Sequence, residues 1–546
     1  MMLVVTSAAA EVAARLLGYT PFLAKNANIR VEPAGRLYRK HPTLGYAPIP
    51  GRQQICYDGK YRWYATHDAL GHRITHPIAE IHSPPRPQIW LFGCSYTHGY
   101  SLNDEDSLAW RLQERLPQYE IVNFAAPGYS TLHSVIQLRE ALATGPAPRA
   151  AVLLYAQFHD ERNPFLRQRR KMVAPFNRLG PLTQPYAQLG ADGTLRVGMA
   201  DSVYREPPLL RHSALVNALD EWWNRGEANR TPVREISRRL LLEFAQVAKQ
   251  RQVASCVAGI QPSTKTQVML EACRQAGVAT LDISFNYERD DNWNPADRWH
   301  PSLRANEEMA ERLELGLASQ ILFDDQQQRL AVDPTDPLTN LYCGVHRLSA
   351  GAGDARDCLR RAADSLPTDY RSRYWLGMSF ANEEPVQFEL AERELRASIG
   401  LAPESAESHA SLGQLLSRQG KQHEAVELLH AALVLRPRMP HAENELAWLW
   451  ATCSDEQIRR PQEAVALAQS ACRQTQGSIP SYLDTLAAAL AATGEFEQAA
   501  NTARQALRLA QQQGQESEFI RQRLRLYEQR LPYRSPRMPL LPQIGG

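Results

Sequence analysis

Three residues of this chain could together carry out nucleophilic acyl chemistry: Ser95, Asp297 and His300. Ser95 follows closely on a short apolar run, residues 89–92 (IWLF), that stops at Gly93. A serine at the C-terminal end of a buried strand is held by the sheet and exposed at its rim, which suits a nucleophile. The other reading of a serine at a strand-to-helix turn is a cap or turn residue. Roughly 200 residues later, Asp297 and His300 bracket a short loop sequence, DRWH. An aspartate so placed can accept from one imidazole nitrogen and fix the tautomer, while the other nitrogen faces a serine hydroxyl. Pro301 starts the next helix and holds the histidine just before its first turn. A lone D-x-x-H means little, and a lone histidine before a helix is commonly a cap or surface residue. The order serine, aspartate, histidine at successive sheet rims sets these three apart.

Those rims require a sheet. Apolar runs suited to buried strands occur at 89–92, 120–124, 150–156, 254–260 and 279–283, and helical patterns lie between most of them, at 107–115, 134–143, 234–251 and 267–276. The alternation over 89–325 predicts an α/β three-layer sandwich with a mostly parallel sheet. Its strand ends gather the chemistry: residues 93–99 (GCSYTHG), residues 123–131 with Gly128, and the polar stretch 155–163 with His159 and Asn163. Gly128 would let a backbone N–H approach a ligand closely. Residues 161–233, rich in arginine and proline and carrying Trp222 and Trp223, read as an insertion. It could cover the site or recognise substrate, or be a solvated excursion.

The whole chain has 546 residues, 44% hydrophobic and 22% charged, enough for two to four globular domains. A net charge of +2 gives no electrostatic footprint for nucleic acid, and none is expected as a partner. The eight cysteines form no C-x-x-C pair, hence neither a disulfide framework nor a zinc site. Residues 1–19 read as an amphipathic helix docked on the first domain, or as the remnant of a membrane anchor, since Glu11 and Arg15 interrupt the apolar stretch. The second reading brings possible membrane association and favours the cell envelope on its periplasmic side; the first favours the cytoplasm. Residues 20–88, with recurring proline and glycine, are expected to be an irregular lead-in packed on the domain.

From 333 to 516 the composition shifts to alanine, leucine and glutamate, with helical periodicity throughout. The stretch repeats itself. One unit gives Leu412, Gly413, Leu416, Ala425, Leu429, Ala432 and Pro437, and the preceding one Leu376, Gly377, Phe380, Ala391, Leu395, Ser398 and Pro403. Later units carry Leu446, Ala447, Trp450, Ala464, Ala468 and Ala471, then Leu486, Ala487, Leu490, Ala499, Ala503 and Ala506. A degenerate first unit spans 337–367. The register resembles the tetratricopeptide (TPR) repeat, in which small residues let paired helices approach and large ones fill the layers between pairs. The resemblance implies an all-α solenoid whose concave face docks a protein partner. Residues 517–546 form an extension with a tail expected to be disordered.

The first domain also carries a resemblance. Residues 93–99 look like the G-D-S-x-T-x-G block of the SGNH (GDSL-type) hydrolases, residues 123–128 like their second block, residues 155–163 fall where their third is expected, and residues 297–300 look like their last. Residues 66–73 resemble the tract that precedes the first block in envelope-associated members. The resemblance implies an SGNH-like, flavodoxin-like sheet. It further implies a Ser95, Asp297, His300 triad, and an oxyanion hole from the N–H groups of Ser95 and Gly128 with His159 or Asn163. Two departures stand out: Cys94 replaces the family aspartate beside the nucleophile, and the third-block asparagine has no clear equivalent. Cys94 is an alternative nucleophile, though its side chain should point away from that of Ser95. The activity implied is that of an esterase, deacetylase or O-acyltransferase on an acylated glycan or lipid, without metal or organic cofactor. The alternative is a catalytically inactive scaffold acting through its repeats in an envelope or polysaccharide assembly.

Overall fold

The computed structural model describes residues 2–23, 29–77, 85–173 and 182–535. The chain divides into two units, Met1–Gln261 with Ala272–Glu314, and Pro262–Glu271 with Leu315–Gly546.

In the first unit the lead-in is not irregular. It carries β1 (Ile29–Glu32), β2 (Tyr38–His41), β3 (Gly45–Pro48), β4 (Gly51–Tyr57) and β5 (Tyr61–His67). Strands β1, β4 and β5 make one antiparallel sheet and β2 with β3 another. Val31, Ile55, Trp63 and Ala65 point to one side of the first and bury together. Several of these strands are only four residues long and are parted by glycine and proline turns, so their alternation never fills the window that sequence periodicity needs.

Five further strands form the central sheet: β6 (Gln88–Phe92), β7 (Glu120–Asn123), β8 (Ala150–Tyr155), and, beyond the hairpin β9 (Thr183–Leu189) and β10 (Leu195–Asp201), β11 (Ala254–Gly259) and β12 (Ala279–Asp282). The order is β12-β11-β8-β6-β7, and every neighbouring pair is parallel. The chain steps from β6 to β7 on one side, then returns to place β8 on the other. Such a reversal opens a crevice at the C-terminal ends of the two strands it separates. Strand β8 is buried along its whole length, and residues 89–92 of β6 are buried as well, as continuous apolar runs require.

The helices of this unit are α1 (Met2–Leu16), α2 (Ser95–His98), α3 (Leu108–Arg115), α4 (Thr131–Thr144), α5 (His159–Arg162), α6 (Arg167–Val173), α7 (Ala214–Arg230) and α8 (Val233–Gln250), followed by α9 (Thr264–Gln275), of which the residues up to Glu271 belong to the second unit, and α10 (Leu303–Gly316), which crosses into it at Leu315. The expected insertion is therefore built of α5, α6, the β9–β10 hairpin and α7. Helix α1 packs on α7. The Glu11 carboxylate accepts from the Ser213 hydroxyl and from the N–H groups of Ala214 and Leu215, which holds its pKa down at about 2. It thereby caps the start of α7. On α7, Asp220 is buried and pairs with both Lys171 and Arg167 of α6. Trp222 and Trp223, also on α7, are exposed. Among the described residues no helix is long and apolar enough to cross a membrane.

The second unit is helical: α11 (Phe323–Val332), then the pairs α12 (Pro337–Ser349) and α13 (Ala355–Ser365), α14 (Tyr370–Ala381) and α15 (Phe388–Leu401), α16 (Ala406–Arg418) and α17 (Gln422–Leu435), α18 (Pro440–Thr452) and α19 (Pro461–Gln474), α20 (Pro480–Ala492) and α21 (Phe496–Gln512), closed by α22 (Glu518–Glu528). The repeat register explains the pairing. A Cβ on Gly377 would lie 2.9 Å from Leu395, and one on Gly413 2.8 Å from Leu429. Gly344 meets Leu359 in the same way in the degenerate first pair. In the last two pairs Ala447 and Ala487 take the equivalent places, both fully buried. The unit is a solenoid of TPR-type helix pairs. The tail expected to be disordered falls mostly on residues 536–546, outside the described residues.

Candidate active site

Strand β6 ends at Gly93, where any side chain would strike Thr97 of α2. The absence of a Cβ lets α2 fold back against the strand end, with Cys94 at its N-cap and Ser95 as its first residue. Ser95 lies at the rim and is 6% exposed, whereas Cys94 is wholly buried. Burial pushes the Cys94 thiol up against the opposing pull of the Arg162 guanidinium and the N–H groups of Tyr96 and Thr97. A buried, protonated thiol is a poor nucleophile.

Asp297 and His300 meet as their spacing predicts. His300 Nδ1 lies 2.7 Å from Asp297 Oδ2, and the other carboxylate oxygen accepts from the N–H groups of Trp299 (3.0 Å) and His300 (3.2 Å). A further donor was invisible in the sequence: the Ser101 hydroxyl, 2.7 Å from Asp297 Oδ2. Burial alone would raise the Asp297 carboxyl, but these hydrogen bonds, led by that from His300, hold it below the ordinary carboxylate range. The loop is closed by Asn294, whose N–H donates to the His300 carbonyl (2.8 Å) and whose side chain donates to the Ser101 carbonyl (2.6 Å). The imidazole lies between the rings of Tyr96 and Tyr100, 5.7 and 4.9 Å away. With Nδ1 donating to aspartate, Nε2 is left as an acceptor, and it has no hydrogen-bond partner among the described residues. Ser95 and His300 are not hydrogen-bonded to each other.

The loop after α2 is fixed by one buried side chain. Arg73 donates to the carbonyls of Tyr64 (3.1 Å), His98 (2.8 Å), Gly99 and Leu102 (2.7 Å), and pairs with Asp104 at 3.0 Å. This arginine ends the lead-in tract at 66–73, so the tract's contribution is to hold the segment that carries Ser101. Beside it, His67 Nε2 and His98 Nε2 face each other at 3.0 Å, and the Nδ1 atom of each is buried without a partner.

The candidate oxyanion donors fare differently. Gly128 has φ +88°, a conformation that favours glycine. A Cβ there would strike the Tyr46 hydroxyl and lie 2.7 Å from an Arg169 nitrogen. Asn163 is committed elsewhere: its oxygen accepts from the Leu132 N–H (3.0 Å) and its amide nitrogen donates to Ser237 (2.9 Å). His159 is fully buried with Nε2 unpartnered, and burial, then Arg162, drives its pKa far down. A neutral imidazole can donate one N–H. Among the described residues no three His, Cys, Asp or Glu side chains gather to hold a metal ion.

A scan against known protein families finds no match, and a search of curated proteins finds none either. Some solved structures show a likeness over about a third of this chain. MamA from Desulfovibrio magneticus RS-1 is 18% identical, over 32% of this chain and 96% of its own, with a TM-score of 0.28. A thermophilic TPR protein from Thermus thermophilus is 18% identical over 35% of this chain and 99% of its own, also at 0.28. YrrB, described as a TPR protein with an unusual peptide-binding site, is 14% identical over 34% of this chain and 91% of its own, again at 0.28.

Proposed function

We propose that the two units divide the work: the helical repeats dock a protein partner, and the first unit carries an SGNH-like serine acyl-transfer site that acts on an acylated glycan or lipid. The observation that supports the second half is the Asp297–His300 pair at 2.7 Å, with Ser101 as a further donor, on the same sheet rim as Ser95. In this reading His300 Nε2 takes the proton of Ser95 Oγ as that oxygen bonds to an ester carbonyl carbon. The N–H groups of Ser95 and Gly128, with His159, steady the oxyanion; each such donor is worth about a hundredfold to a thousandfold in rate. The tetrahedral species collapses, the leaving alkoxide takes the proton from His300, and an acyl-Ser95 ester remains. Water or a sugar hydroxyl then attacks that ester, giving hydrolase or acyltransferase respectively.

The rival reading, an inactive scaffold working through the repeats, asks least of the chain. It is favoured by the missing Ser95–His300 hydrogen bond and by the commitment of Asn163 to Leu132 and Ser237. Labelling with a fluorophosphonate probe, alongside hydrolysis of a short-chain aryl ester, separates the two. Labelling and turnover that vanish in Ser95→Ala support the acyl-transfer site. A folded wild-type protein that takes no label and turns over no ester supports the scaffold.

A further inference from the structure

Two arginines stand at this rim with no carboxylate partner among the described residues. Arg162, the last residue of α5, donates to the Tyr129 carbonyl at 3.1 Å, lies over the Phe158 ring and reaches the Cys94 thiol. Arg169, on α6, donates to the Gly128 carbonyl at 2.9 Å. Neither forms an ion pair among the described residues, no nitrogen of either is a buried orphan, and both residues are part-buried. Their neighbours on α6 differ: Arg167 and Lys171 both pair with Asp220. The two free guanidinium groups therefore flank the residues on either side of the chemistry, Cys94 next to Ser95 and Gly128 at the expected oxyanion position. Each keeps several donors in the fork geometry that fits a carboxylate or phosphate bidentately.

Holding two such cations together, part-buried and unpaired, costs stability unless something anionic joins them. Arg169 carries the sign of that cost. Burial, and then the charge of Arg162, brings its pKa down to about 10, and no carboxylate counters either effect. Where a carboxylate next to the serine would have paired with Arg162, this chain has the neutral thiol of Cys94. The site is left with two guanidinium groups that have no carboxylate partner among the described residues.

We propose that Arg162 and Arg169 form an oxyanion subsite beside Ser95, and that the acylated substrate of the first unit carries a carboxylate or a phosphate that binds there. The choice of substrate class rests on the acyl-transfer reading above; the anion site itself does not. The test is isothermal titration of the full chain with D-glucuronate and, separately, inorganic phosphate, at constant ionic strength set with chloride. Saturable binding of at least one anion is expected, weakened tenfold or more in Arg169→Gln and in Arg162→Gln. Cys94→Asp supplies the missing carboxylate in place and is expected to suppress binding without touching either arginine. Preference for glucuronate points to an acidic sugar, and preference for phosphate to a phosphorylated substrate. No binding above the chloride control, or equal binding in wild type and any folded arginine variant, overturns the proposal. Ser95→Ala keeps the two readings apart: it is expected to lose fluorophosphonate labelling and retain anion binding. Binding in a wild type that takes no label would leave the subsite standing and remove the acyl-transfer reading.

Discussion

Acid should unfold the first unit well before the second, because four of its histidines are buried in the neutral state. Burial is the main cause in each case: His67 and His133 are driven down to about 3, and His98 and His159 well below the ordinary histidine value. His67 and His98 face each other through Nε2 at 3.0 Å, so a charge on either would have the other ring beside it. In the unfolded chain each titrates near 6.5. Below that pH the unfolded state binds protons that the folded state refuses, so stability falls as pH falls. Between pH 7 and pH 5 each group removes about 2 kcal/mol, and the four together about 8, a large share of the roughly 5–15 kcal/mol that holds a domain together. The second unit leans the other way. Burial raises the carboxyls of Glu443, Glu445 and Asp484, which gain protons in the folded state and so favour it as pH falls, against the opposing effects of His441 and of the lowered carboxyls of Glu392 and Asp333. Hydrogen exchange with mass spectrometry reads both units in one sample. After correction for intrinsic rates, amides of β6 and β8 should lose protection between pH 7 and pH 5, while those of α16 and α17 keep theirs. Joint substitution of His67 and His98 by glutamine should about halve the loss. Equal protection of β6 and β8 at the two pH values would refute the argument.

Other outcomes follow from single contacts. If the first unit is an esterase, Asp297→Asn should lower kcat about a thousandfold or more, by spoiling the tautomer of His300. Ser101→Ala removes one hydrogen bond to a charged group, worth about 1.5–3 kcal/mol. It should therefore cost up to about ten- to a hundredfold in the same ester assay and lower the unfolding free energy by about the same 1.5–3 kcal/mol. Arg73→Met strands Asp104 and unties four carbonyls; urea unfolding should show a loss of about 3–5 kcal/mol, partly restored by adding Asp104→Asn. Gly413→Val drives a branched side chain into Leu429 and should cost the repeat unit about 1–3 kcal/mol, whereas Gly400→Ala, in open space, should be close to neutral.

The central sheet was legible because its inner strands β6 and β8 are buried almost throughout and so read as unbroken apolar runs. The expected strands at 89–92, 120–124, 150–156, 254–260 and 279–283 match β6, β7, β8, β11 and β12 to within a residue. The repeats were legible for a different reason: Gly377 and Gly413 are dictated by a helix-to-helix contact that recurs at a fixed period. What escaped the sequence is held by contacts with no period. Ser101 reaches Asp297 across a long stretch of chain, from a left-handed backbone (φ +69°) that nothing about a serine announces. Arg73 acts through backbone carbonyls, which carry no residue identity to read. Arg162 and Arg169 look in sequence like any other members of an arginine-rich insertion; only the structure shows that Arg167 and Lys171 pair with Asp220 while Arg162 and Arg169 turn to the carbonyls of Tyr129 and Gly128.

The cap that Glu11 places on α7 has a mechanical consequence. From α1 the load path runs through that carboxylate to the start of α7, along the helix to Asp220, across its ion pairs to α6, and through Arg169 to the carbonyl of Gly128. Each joint is a charged hydrogen bond or ion pair, stiff in tension and short in reach, and the two helices between them are the rigid links. A pull on the N-terminal helix therefore has a continuous route to the loop beside Ser95. Helix α1 is coupled through Glu11 to the loop beside Ser95 as a lever is to its load.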